Sequence, residues 1–131
     1  MKTVLTQEAP VPAGHYSQAI IHQGVVYIAG QLPIKPGQKE HVIGSIEEQT
    51  RQTLANLDAI LRAAGSSRDK VLRVTVYVSD VKHWGQVNAI YAEFFGDHRP
   101  ARTVVPVGTL HYGYDLELDA IAAADSTSGK P

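Results

Sequence analysis

The sequence predicts an α+β fold, a mixed β-sheet with two helices on one face. Three observations carry that expectation. Two segments repeat apolar residues at helical spacing, several short segments alternate apolar with polar residues, and the two patterns interleave as β-β-α-β-α-β-β. Two helices cover only one face of such a sheet. The other face would carry Arg73, Thr75, Tyr77, Arg102 and Glu117 among aliphatic residues, a mixture too apolar for water and too polar for a private core. It reads as a face that a further copy of the chain covers.

Taken in order, Met1 to Gly14 holds two prolines and little periodicity, and reads as an extended arm that becomes ordered only near His15. Tyr16 to Ile21 and Val25 to Ala29 flank His22-Gln23-Gly24, a hairpin pattern. Pro33 to Gly44, with its Lys-Pro-Gly-Gln, is loop. Ser45-Ile46-Glu47-Glu48 is a capping box, in which the serine and the glutamate three residues on satisfy each other's free backbone N–H groups. Ile46, Thr50, Leu54, Leu57 and Leu61 follow on one helical face, and Gly65 stops the helix. Val71 to Ser79 alternates Leu72, Val74, Val76 and Val78 with Arg73, Thr75 and Tyr77, a half-buried strand. Asp80 is placed to cap a second helix, whose stripe is Trp84, Val87, Tyr91, Phe94 and Phe95; Trp84 and Tyr91 read as core rather than as a stacking platform. Arg99 to Val107, with Pro106 marking its edge or end, and Asp115 to Ile121 are the last strands, joined by a short glycine-containing connection that suggests antiparallel pairing. Residues 1–124 form one domain in this reading, and 125–131 a disordered polar tail.

Composition excludes several chemistries. The chain has 131 residues, 44% of them hydrophobic, a formal net charge of −1 and no cysteine. Disulfides, thiolate catalysis and cysteine-bound metals are therefore out, and nothing marks an electrostatic nucleic-acid or membrane surface. The six histidines show no metal-ligand spacing. No signal pattern or spanning apolar run stands out, so the expected location is the cytoplasm.

The candidate site centres on Arg99-Pro100-Ala101-Arg102-Thr103-Val104-Val105-Pro106-Val107. An arginine in an apolar strand calls for an anion, either a carboxylate of the same chain or a ligand. Antiparallel pairing with Asp115 to Ile121 would set Arg102 and Glu117 on one shared face. Such a pair is ordinarily a structural ion bridge; Tyr16 alone would be a packing residue, and Gly30 a turn or bulge.

A set of segments resembles the RidA/YjgF family of reactive-intermediate deaminases, also known as the endoribonuclease L-PSP or translation initiation inhibitor family. They are Gly14-His15-Tyr16-Ser17-Gln18-Ala19, Ala29-Gly30-Gln31, Glu48-Gln49-Thr50-Arg51-Gln52, Val87 to Phe95, Arg99-Pro100-Ala101-Arg102-Thr103 and Glu117-Leu118-Asp119-Ala120-Ile121-Ala122. The resemblance spans about residues 13–123. It implies a chorismate-mutase-like fold and a homotrimer with clefts between subunits. It also implies hydrolysis of 2-imino acids, the tautomers of enamines such as 2-aminoacrylate, to 2-keto acids and ammonia. By the same resemblance Arg102 clamps the substrate carboxylate and Glu117 handles the hydrolytic water. Tyr16 and Gly30 line the cleft, and Thr103 and the backbone at Val104 complete the binding strand. No metal or organic cofactor is required, since an imine is already electrophilic.

Departures fall on the cleft wall. His15 replaces the usual proline, Ala29 a serine or threonine, Thr103 a serine, Val104 a cysteine, and Leu110-His111-Tyr112-Gly113 the usual Leu-Pro-Lys-Gly. His15 and His111 both fall in segments that line the family's cleft. Three other readings stand beside the deaminase: a non-catalytic trimeric sensor of keto or amino acids, a deaminase of a larger unsaturated amino acid such as 2-aminomuconate, and an endoribonuclease or translation inhibitor. The last has no basic stripe or aromatic-basic interleaving to support it.

Overall fold

The computed structural model describes residues 1–124. The expectation for residues 125–131 falls outside them. Six strands and two helices follow one another as β1 (Lys2–Val4), β2 (Ala19–His22), β3 (Val25–Gln31), α1 (Ile46–Ala63), β4 (Val71–Val78), α2 (Trp84–Phe95), β5 (Ala101–Pro106) and β6 (Leu116–Ala123). They build one mixed sheet in the order β1-β2-β3-β6-β4-β5, antiparallel throughout except for the parallel pair β4 and β5.

Local chemistry sets most of these bounds. Gln23 and Gly24 both take positive φ, 49° and 77°, the backbone that a tight hairpin between β2 and β3 demands. The capping box at α1 is complete, with Ser45 Oγ accepting from the Glu48 N–H and Glu48 Oε1 accepting from the Ser45 N–H. Asp80 caps a 3-10 turn over Val81–His83, and α2 begins only after it, at Trp84.

Both helices lie on one face. Leu54, Leu57, Ile60 and Leu61 of α1 and Val87, Ile90 and Phe95 of α2 are buried against Val74, Val76, Val78, Leu116 and Leu118 of the sheet. The opposite face is open in a single chain, and its mixture of groups is largely the expected one. Tyr27 is 47% exposed there, the Tyr77 hydroxyl donates to Asp119 Oδ2 at 2.9 Å, and Arg73 Nη2 donates to Thr103 Oγ1 at 2.9 Å.

Four expectations are corrected. The N-terminal arm supplies a strand, β1, whose three residues are too few to show a period but suffice for an edge. The face of β4 switches at a bulge between Val71 and Arg73, which buries Val71 and leaves Leu72 51% exposed. Third, β5 and β6 are not a hairpin, because β4 lies between them. The connection from β5 passes over the end of β4: the Val107 N–H donates to Val78 O at 2.8 Å, and the Ser79 N–H to Asp115 O at 2.9 Å. A helix between β4 and β5 is the length of crossover that parallel neighbours need. Fourth, Arg102 does not belong to the open face. It is registered with Val74, which is fully buried under the helices, so it points to the helix side. Among the described residues no helix is long and apolar enough to cross a membrane.

Candidate active site

At one end of β3 and β6 a cleft of about 390 Å³ gathers Tyr16, Gly30, His111, Tyr112 and Glu117. Glu117 enters it by strand alternation. Its neighbours Leu116 and Leu118 are buried in the core, so the intervening carboxylate is carried to the opposite face. Gly30 sits across from it on β3, where the register shifts between Ile28 and Gln31. A Cβ at residue 30 would collide with the Glu117 carboxylate, its nearest carbon being Cδ at 3.1 Å. Gly30 thus makes the room that the carboxylate occupies.

Burial raises the Glu117 pKa above the ordinary carboxylate range; His111 opposes the rise and Asp119 adds to it. A carboxylate so placed exchanges a proton nearer neutrality than an exposed one, which suits a group that must both take and return a proton. Tyr16, 53% exposed, forms one side of the cleft, and apolar residues such as Val11, Leu32 and Ile34 form much of the rest.

Three buried amides hold these walls in place, and the sequence reading gave them no role. Gln18, 1% exposed, donates to Thr6 O at 3.0 Å and Pro10 O at 2.9 Å and accepts from the Thr6 N–H at 2.7 Å, fastening the N-terminal arm. Asn56 of α1 donates to Leu32 O and Ile34 O at 3.1 and 2.8 Å. Gln49 of α1 accepts from the Asp115 N–H at 2.8 Å and donates to Gly44 O at 2.9 Å and Asp115 Oδ2 at 3.0 Å, anchoring the segment that bears His111 and Tyr112. For Gln49 and Asn56 the visible signal is an amide side chain on the buried stripe of α1, where an aliphatic residue belongs. His15 is exposed and is not part of the cleft wall.

The strand β5 stands apart from this cleft. Arg102 lies on the helix side of the sheet and Glu117 on the other, with β4 between their strands, so the two do not meet within one chain. Among the described residues no carboxylate lies within ion-pair distance of Arg102. Its Nη1 donates to Asn88 Oδ1 at 2.8 Å, and its guanidinium carbon stands 4.6 Å from the Trp84 ring centre and 5.0 Å from that of Tyr91. Trp84 and Tyr91, expected as plain core, are therefore also a platform for the guanidinium. Burial pushes the Tyr91 hydroxyl up to about 12, so it stays neutral beneath that charge. Thr103 faces the open side with Arg73, and Val104 packs onto the core. As an edge strand, β5 presents its outer backbone groups without a strand partner among the described residues.

Gly30 gives the first test. Its φ is not positive, so alanine suits the backbone and the cost falls on the carboxylate. Gly30→Ala is expected to displace Glu117 and to lower any turnover that depends on it by about 10²-fold, with the melting temperature changed by only a few degrees at about 1 kcal/mol. An alanine variant of unchanged activity would show that the Glu117 position does not matter.

The sequence profile of the family described as endoribonuclease L-PSP matches residues 6–124. The RutC family protein PH0854 of Pyrococcus horikoshii is 46% identical over 121 residues, covering 92% of this chain and 96% of its own. A rat protein named 2-iminobutanoate/2-iminopropanoate deaminase is 37% identical over 121 residues, covering 92% of this chain and 88% of its own. The crystal structure of Escherichia coli TdcF with bound serine superposes with a TM-score of 0.89 at 33% identity, covering 95% of this chain and all of that one.

Proposed function

This chain belongs to the endoribonuclease L-PSP family, the family of the RidA/YjgF proteins, and from that premise we propose that it hydrolyses reactive 2-imino acids to 2-keto acids and ammonia. The observation that carries the proposal is the half-buried Glu117 carboxylate, held in an apolar cleft with raised pKa and facing a glycine that leaves it room. Glu117 takes a proton from water as the oxygen adds to the imine carbon. It returns that proton to nitrogen, giving a carbinolamine; the hydroxyl proton then passes through the same carboxylate to nitrogen as the carbon–nitrogen bond breaks, so ammonia leaves and the oxygen stays as the keto group. Imine and water are thereby fully accounted for.

The substrate carboxylate needs a cation on the far side of the reacting carbon, and Arg102 is the planar donor for it. Since Arg102 and Glu117 occupy opposite faces of one sheet, a site that uses both draws them from two copies of the chain. A ring of copies joined by unlike surfaces provides this, and the trimer implied for the family is such a ring. The open sheet face is the surface it would cover.

A trimer that binds an amino or keto acid without turnover is the competing reading, favoured by the serine held by the TdcF relative. A dicarboxylate such as 2-aminomuconate suits the cleft less, since its second carboxylate would lie near the Glu117 carboxylate. RNA cleavage draws no support from a net charge of −1.

The test is release of ammonia from imines made in situ by an amino-acid oxidase. Hydrolysis is expected to run at least about 10²-fold above the spontaneous rate. Saturable binding of the keto acids with no acceleration would establish the sensor instead.

A further inference from the structure

The cleft that Tyr16 lines also takes in a group of rings that the mechanism above leaves unused. Tyr112 lines the cleft and is 48% exposed. Its backbone is left-handed, with φ at 62°, an uncommon state for a residue with a large side chain. Such a residue persists where the surroundings over-determine it, and here they do. The His41 ring lies flat on the Tyr112 ring, with centres 3.8 Å apart and planes inclined by 10°. His41 is itself fixed by Tyr114, whose hydroxyl is 3.4 Å from His41 Nδ1 and whose ring meets His41 edge-on at 5.9 Å. Tyr114 is only 3% exposed, so this tier is anchored in the protein. A pocket lined by two exposed aromatic residues, Tyr16 and Tyr112, together with aliphatic ones such as Val11, Leu32 and Ile34 is suited to a flat apolar group.

We propose that Tyr112, braced by His41, is the specificity-determining wall of the cleft, and that the preferred substrates are 2-imino acids with an aromatic side chain. This rests on the imine-hydrolase reading and extends it to a substrate class. A methyl group, as in 2-iminopropanoate, leaves both rings uncovered, whereas a benzyl group covers one and meets its quadrupole. His41 touches no substrate and acts by holding Tyr112, which makes it a positioning residue.

The experiment compares the imines of phenylalanine and alanine as a ratio of kcat/KM, together with calorimetric binding of phenylpyruvate and pyruvate. The aromatic partner is expected to be favoured by about tenfold in both measurements, the scale of one aromatic pair with its buried area. Tyr112→Gly suits the left-handed backbone and removes the ring, so the fold is kept while the ratio falls to near one. His41→Ala lowers the ratio and His41→Phe, which preserves a stacking ring, restores it. A wild-type ratio at or below one, or a ratio unchanged in Tyr112→Gly, overturns the proposal even where both imines are hydrolysed. If neither imine is hydrolysed the enzyme reading fails instead, and the ratio of keto-acid affinities in wild type and Tyr112→Gly still decides whether Tyr112 selects the ligand.

Discussion

Arg102→Lys is expected to damage ligand binding nearly as much as Arg102→Ala. Removing one member of a desolvated, hydrogen-bonded charge pair costs about 2–5 kcal/mol, so pyruvate affinity should fall by about thirtyfold to a few thousandfold. Lysine keeps the charge but not the planar fork that makes paired hydrogen bonds to a carboxylate. It also loses the hydrogen bond to Asn88 Oδ1 and the broad face laid across Trp84 and Tyr91. Those contacts aim the guanidinium, and a reaction in which water must reach one face of an imine depends on that aim. Calorimetric titration with pyruvate measures the loss, and thermal melts separate it from unfolding. An exposed arginine without a carboxylate partner among the described residues should move the melting temperature little. Equal pyruvate affinity in all three proteins would end the carboxylate-clamp assignment. Early melting of both variants would instead make Arg102 a structural residue.

Glu117→Gln should slow imine hydrolysis by about 10²-fold or more, the usual scale for a lost acid-base group, while leaving keto-acid binding in place. Stability should move the other way. The folded-state pKa of Glu117 is raised, so the ionised form burdens the folded protein. That burden appears as pH rises through the unfolded-state value and is complete above the folded-state value. At neutral pH the glutamine variant should therefore melt about 1–3 °C higher than wild type. The difference should close at a pH below both values, where wild type is protonated folded or unfolded. Co-expressing Glu117→Gln with Arg102→Ala tests the shared site directly. If each site takes Glu117 from one copy and Arg102 from the next, random assortment leaves about a quarter of the sites intact. Each variant alone should be nearly inactive, and the mixture should regain about a quarter of the wild-type rate. A mixture as inactive as its parents would place the site within one chain, where the two residues do not meet.

What was legible in the sequence, and what was not, follows the range of the physics involved. The capping box at Ser45, the stripe of α1 and the alternation of β6 are local patterns, and the structure has all three. The partner of β5 is a long-range matter. A nine-residue span between β5 and β6 looks like a hairpin loop, and only the hydrogen bonds at Val78 and Ser79 reveal that it wraps the end of β4. That one misplaced strand moved Arg102 to the wrong face. Tyr16 and Gly30 stand out on resemblance and Glu117 on strand pattern as well, and the structure brings the three together in one cleft; Arg102, Thr103 and Val104 lie elsewhere in the same chain. Gln18 and Gln49 stand in segments that carry the resemblance, but neither their role nor that of Asn56 is legible, because an amide's partners are largely backbone carbonyls and N–H groups, which any residue supplies and no motif records.

The central place of β6 bears on how the protein is made. It is the last strand in chain order, yet it lies between β3 and β4 and pairs with both. Before it arrives, the hairpin with α1 and the β4-α2-β5 unit share no strand pairing, only the packing of α1 on α2, and each has an unpaired strand edge. Loop closure across nearly the whole chain must then precede the pairing that joins them. A growing polypeptide consequently stays open, and dependent on whatever shields its edges, until Leu116 to Ala123 emerge and stitch the halves together.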